Sequence, residues 1–214
     1  MKTKVYCETS LISWLVSRPS TVPASAVRQA YTRKWWEERA GECDLYVSGF
    51  VVREAADGDK EQADLRIAEV AKMKMLDGER DEVRQLAEAL IRYHAVPETE
   101  ATDAFHIATA AVYGMDVLLT WNCKHMANLV TLPKTASVIA KAGYECPKIL
   151  TPKDALRFDM ADDPIVEEVR NTRARFNAES DYDLRKLAAK AAEFARSLGM
   201  TVCSLQPTVT PTAM

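Results

Sequence analysis

Residues 4–15 read KVYCETSLISWL, an apolar run that meets a carboxylate at Glu8 and resumes as a second apolar run behind Thr9 and Ser10. The first run has the β-branched and aromatic character of a short strand, and the second has the length and spacing of a helix. Glu8 therefore falls at the carboxyl end of a strand, where an acid has two readings. It suits the positive end of the following helix, whose first amides need acceptors. It also stands where a parallel sheet opens onto its ligand crevice, as a metal ligand would. Because Thr9 or Ser10 can cap the helix alone, the expectation is that Glu8 is free to point across the strand ends.

The same grammar repeats along the chain. Strand-like runs fall at residues 4–7, 44–52, 116–120 and 147–150, with a weaker one at 73–77. Helical patterns fill 24–40, 60–73, 79–94 and 100–114, the last ending on Gly114 as a C-cap glycine. Strands alternating with helices imply an α/β fold of three layers, a central parallel sheet of four or five strands flanked by helices. At 214 residues the chain suits one such core plus an appendage. The expected division is a domain over 1–158, a helical extension over 159–198 that opens with Asp162, Asp163 and Pro164, and a disordered tail over 199–214.

Composition removes several classes of function. A net charge of −3 argues against nucleic-acid binding through a global basic field, though not against a local basic groove. Five scattered cysteines lack a CxxC pair or a zinc spacing, which fits a reducing, cytoplasmic setting. No run is long and apolar enough for a signal peptide or a membrane span, so no membrane partner is expected. Neither GxGxxG nor GxxxxGK[ST] occurs, so phosphate chemistry here has no glycine cradle.

The strand ends collect oxygen-bearing side chains. Glu8 follows the first strand and Glu54 the second, at the expected start of the next helix. Asp103 lies early in the helix before the 116–120 strand, and Asn122 just beyond that strand. Singly, each has a structural reading as a surface acid, a helix-terminal acid or a turn amide. Together they imply a cation, since two like charges about 4 Å apart repel by roughly 4 kcal/mol at an effective dielectric of 20. All-oxygen ligands favour Mg²⁺ or Mn²⁺ over zinc. His106, three residues after Asp103 on the same helical face, reads as a hydrogen-bonded structural histidine or as a base beside the acids.

The stretches VYCETSLISWL, LYVSGFVVREAADGD, ATDAFHIATAAVYGMDVLLTWNCKHMAN and KILTPKDAL, spanning about residues 4–156, resemble the PIN-domain ribonucleases, particularly the VapC-like toxins of toxin–antitoxin pairs. The resemblance implies a PIN-like fold and a Mg²⁺- or Mn²⁺-dependent endoribonuclease. Glu8, Glu54 and Asp103 would be the catalytic acids, and these three with Asn122 the metal ligands. Thr9, Arg53, His106, Lys124 and His125 would meet the RNA, and Glu54 or a neighbouring group would take the proton of the attacking water. The family more often carries aspartate at the first position and an acid at the fourth. Glu8 and Asn122 depart from that and favour one metal over two.

Residues 164–198 resemble a short antitoxin-like segment, which implies inhibition by an antitoxin protein or by the chain's own Arg170, Arg173 and Arg175. The same segment reads equally as a helical extension that only packs. Proteins of this kind dimerise, and Trp35–Trp36 would be an apolar anchor for a homodimer. Two alternatives stand beside the nuclease: a catalytically weak PIN-fold module that binds RNA or protein, and, last, a phosphomonoesterase, for which the DxD spacing is missing.

Overall fold

The computed structural model describes residues 2–157. The expected extension over 159–198, its arginines and the tail over 199–214 lie outside the described residues. Five strands, β1 (Thr3–Cys7), β2 (Cys43–Ser48), β3 (Lys74–Leu76), β4 (Val117–Leu119) and β5 (Lys148–Leu150), form one sheet in the order β3-β2-β1-β4-β5. All four pairings are parallel. Val5, Tyr6 and Cys7 of β1 and Leu118 and Leu119 of β4 are fully buried, as central strands covered on both faces must be.

Among the described residues eight α-helices accompany the strands: α1 (Thr9–Val16), α2 (Pro23–Arg39), α3 (Gly49–Ala55), α4 (Lys60–Val70), α5 (Asp81–Arg92), α6 (Ala101–Val112), α7 (Leu132–Lys141) and, after β5, α8 (Pro152–Ala155). Right-handed crossovers place the β1→β2→β3 connections on one face and the β3→β4→β5 connections on the other. The contacts agree, since α1 touches α2, α3 and α4, whereas α5 touches α6 and α7. The fold is thus a three-layer α/β sandwich. The chain reverses its direction of travel across the sheet between β1 and β4, and the carboxyl ends of these neighbours flank the crevice such folds use for ligands.

Small side chains bring α6 close to the sheet. Ala104, Ile107, Ala108, Ala110 and Ala111 are all buried, and Gly114, at φ +60°, ends the helix in the left-handed region. The C-cap expected there is present.

The structure corrects three readings. The second strand stops at Ser48, because the apolar residues after Gly49 form α3, where Val51 and Ala55 turn inward. A short apolar run does not by itself distinguish strand from helix. Glu54 consequently lies near the end of a helix and not at its start, so the helix dipole does not account for it. Trp35 is fully buried in the core and so offers no surface anchor for a dimer, while Trp36 packs partly buried beside it. Among the described residues no helix is long and apolar enough to cross a membrane.

Candidate metal centre

Glu8 leaves β1 with its amide bonded to the Leu119 carbonyl of β4 at 3.1 Å, which fixes it at the junction of the two strands. Its side chain is buried and is itself the N-cap of α1, accepting from the Ser10 amide at 3.0 Å and from the Ser10 hydroxyl. The expectation that Thr9 or Ser10 would cap alone is therefore overturned. Thr9 is already helical and sends its hydroxyl to Glu54, while Ser10 serves Glu8. A third donor, the Thr120 hydroxyl just past β4, reaches Glu8 Oε2 at 2.7 Å. Three donors converge on this one buried carboxylate and set its direction.

Glu54 approaches from α3. Its Oε2 accepts from the Thr9 hydroxyl and from His106 Nε2 at 3.1 Å. A carboxylate only accepts, so Nε2 carries the proton whichever charge the ring has. Nδ1 bonds the Tyr6 hydroxyl at 2.8 Å, and Tyr6 in turn bonds Ser48 Oγ at 2.7 Å. His106, Tyr6 and Ser48 are fully buried, so the chain from Glu54 runs into the core and ends there. Burial holds the Tyr6 hydroxyl far above its ordinary value and thus protonated. At Glu54 burial pushes the carboxyl up, but the His106 hydrogen bond and charge and the Thr9 hydroxyl outweigh it and hold it below the usual range.

Asp103, in the first turn of α6, meets a different environment. Its Oδ2 accepts from Asn122 Nδ2 at 2.7 Å, and Asn122 Oδ1 accepts the His125 amide at 3.1 Å. These two partners fix the amide's orientation, because a carboxylate needs a donor and an N–H needs an acceptor. Asn122 therefore turns its nitrogen toward the acids and its oxygen to the loop, and serves as a donor to Asp103 in place of the expected metal ligand. Burial and then, against the Asn122 bond, the nearby Glu8 charge push Asp103 up to about 6.

Ligating atoms of Glu8, Glu54 and His106 lie within 4.8 Å of one another. Asp103 is not in that set but is close enough to respond to Glu8. Both His106 nitrogens are committed, to Glu54 and to Tyr6, so the ring orients a carboxylate and leaves the oxygens of Glu8 and Glu54 as the donors. That donor set fits a hard cation, Mg²⁺ or Mn²⁺, better than zinc.

The expected RNA-facing residues separate. Thr9 and His106 are buried against Glu54 and position it without reaching solvent. Arg53 is exposed, lies 4.6 Å above the Phe50 ring and pairs with Glu79 at 2.9 Å. It lines a cleft of about 540 Å³ with Phe50, Glu54, Ala56, Asp57 and Thr102. Lys124 is exposed and has no acidic partner among the described residues, whereas the His125 ring is mostly buried and sits 3.5 Å from Glu100. Sequence reasoning missed Tyr6, Ser10, Ser48 and Thr120, the hydroxyls that hold the acids. The one signal available was a hydroxyl residue close after each apolar run, as in YCETS, YVSG and LLTWN.

No protein family is matched by the chain's sequence, and no curated protein matches it. Among solved structures it is similar to a chain of VapBC2 from Rickettsia felis bound to a DNA fragment from its promoter, at 10% identity and a TM-score of 0.46, covering 70% of this chain and 98% of that one. It is also similar to a chain of FitAB bound to an IR36 DNA fragment, at 16% identity and a TM-score of 0.44, covering 70% and 95%.

Proposed function

We propose that the chain is a Mg²⁺- or Mn²⁺-dependent endoribonuclease of PIN type, acting as the toxin of a toxin–antitoxin pair. The observation that carries the nuclease reading is the convergence of Glu8 and Glu54, with Asp103 beside them, at the junction of β1 and β4. The toxin role, an antitoxin partner or an inhibitory segment of the chain's own, and a homodimer rest on the sequence resemblance over residues 4–156 and 164–198.

In this reading Glu8 and Glu54 hold the cation and Asp103 completes the pocket. When bound, a cation of this kind supplies a water of lowered pKa and offsets charge on the phosphate. The chain's own residues do the rest. Thr9 and His106 hold Glu54 below the usual carboxylate range and aim it; Ser10 and Thr120 aim Glu8. In the metal-free chain Asp103 is pushed up to about 6 while Glu54 is held below the usual range, so the two acids differ in basicity before a cation binds. Arg53 and Lys124 supply positive charge to the RNA backbone at the rim.

The test is cleavage of structured and unstructured RNA by wild type and Asp103→Asn in Mg²⁺ or Mn²⁺. A loss of about 100-fold or more is expected in the variant; equal activity sinks the assignment. A second reading, a PIN-fold binding module with weak or no catalysis, is favoured by one feature: Glu8 already receives three internal bonds and the fourth position is an amide. RNA binding without metal-dependent cleavage would select it.

A further inference from the structure

We propose that Trp14, Arg28 and Trp121 form a stacking subsite for the bases of single-stranded RNA, beside the metal centre and distinct from the Arg53 cleft. The inference rests on the nuclease reading for its substrate but on separate residues for its geometry. Arg28, on α2, is exposed and has no carboxylate partner among the described residues; its guanidinium lies 5.7 Å from the Trp14 ring and 5.9 Å from the Trp121 ring. Among the described residues Arg18, Arg53 and Arg80, by contrast, face acids. The Arg28 guanidinium lies within cation–π range of two half-buried indoles, and no acid among the described residues competes for its N–H groups.

Trp121 is tied at both ends. Its amide donates to Ser10 Oγ at 2.8 Å, and Ser10 holds Glu8. Its indole N–H donates to the buried Thr32 hydroxyl of α2 at 2.8 Å. The indole's polar edge thus faces the protein, and a fixed ring stands two bonds in the hydrogen-bond network from a candidate metal ligand. In the sheet order, β2 and β4 lie on opposite sides of β1. The Arg53–Phe50 cleft follows β2 and the Trp121 platform follows β4, so a strand whose phosphate lies at Glu8 meets an arginine on an aromatic ring on either side. Aromatic rings and guanidinium planes grip unstacked bases with little regard to sequence, which selects single strands over duplexes.

The experiment uses the full chain in EDTA and a fluorescein-labelled 12-mer of uridine, with a 12-base-pair RNA duplex as second probe, read by fluorescence anisotropy across a salt series. Wild type should prefer the single strand. Arg28→Ala should weaken single-strand binding about tenfold, reduce the salt slope by about 0.7 and raise KM more than it lowers kcat, with Mn²⁺ affinity unchanged. Arg28→Lys, which keeps the charge without the plane, should recover the salt slope and only part of the affinity. Unchanged affinity in Arg28→Ala overturns the proposal, as do equal affinity for duplex and single strand or full recovery by lysine. Should wild type neither bind Mn²⁺ nor cleave, yet lose strand affinity in Arg28→Ala, the nuclease reading fails and the subsite stands.

Discussion

Glu54 and Asp103 share one pocket and are driven in opposite directions. Glu54 receives an imidazole N–H and a hydroxyl and is held below the ordinary carboxylate range. Asp103 receives one neutral amide, faces the Glu8 charge and is pushed up to about 6. Both are partly buried, so burial does not separate them. The donors do, and the pocket therefore pairs an acid held below the ordinary carboxylate range with one pushed up to about 6.

The largest expected effect comes from breaking the Glu54 side. His106→Ala removes a buried ring, breaks its bond to the Tyr6 hydroxyl and strips Glu54 of the imidazole donor. A loss of about 3 kcal/mol in urea unfolding is expected, and a loss below about 1 kcal/mol would mean that the buried chain of bonds is dispensable.

Asp103→Asn should act with the opposite sign in metal-free protein. A carboxyl whose folded pKa is raised contributes stability below its unfolded value, near 3.9, and that contribution is lost as pH rises through about 6. Discounted for partial exposure, the variant should be about 1–2 kcal/mol more stable than wild type at pH 7.5 and no different near pH 4. The same comparison gives Glu54→Gln the reverse slope. A depressed pKa contributes stability at neutral pH that is lost as pH falls through the folded value, so this variant should be up to about 1 kcal/mol less stable at pH 7.5 and level with wild type in acid. If the two variants shift stability in the same direction at pH 7.5, the contrast between the acids fails. Smallest is Arg53→Ala, whose exposed pair with Glu79 should contribute under about 0.5 kcal/mol to stability, leaving any larger effect to appear in RNA affinity.

How much of this was legible in the sequence follows from where each signal resides. The strands and the placement of Glu8, Asp103 and Asn122 at their ends were readable because apolar runs and their polar stops are local. The end of β2 was not, since GFVV satisfies a strand and a helix alike, and this misplaced Glu54 on its helix. α7 lies outside the helices expected from the sequence, although its buried Thr135, Val138 and Ile139 share one face. The network holding the acids was out of reach for a different reason. Thr120 meets Glu8 across 112 residues and Tyr6 meets His106 across 100, and only the parallel register of β1 with β4 and the docking of α6 bring them together. Asn122 was assigned its position correctly and its chemistry wrongly, because the loop amide of His125 decides which way its side chain faces.

If Glu8 and Glu54 together hold one divalent cation, calorimetric titration of Mn²⁺ into the full chain and into Glu54→Gln separates the two proteins. Wild type should bind one ion with submillimolar affinity and the variant at least about tenfold more weakly, as expected when one of two anionic ligands is lost. Equal affinity in the two proteins, or no binding by wild type at millimolar Mn²⁺, would contradict a cation held by both acids.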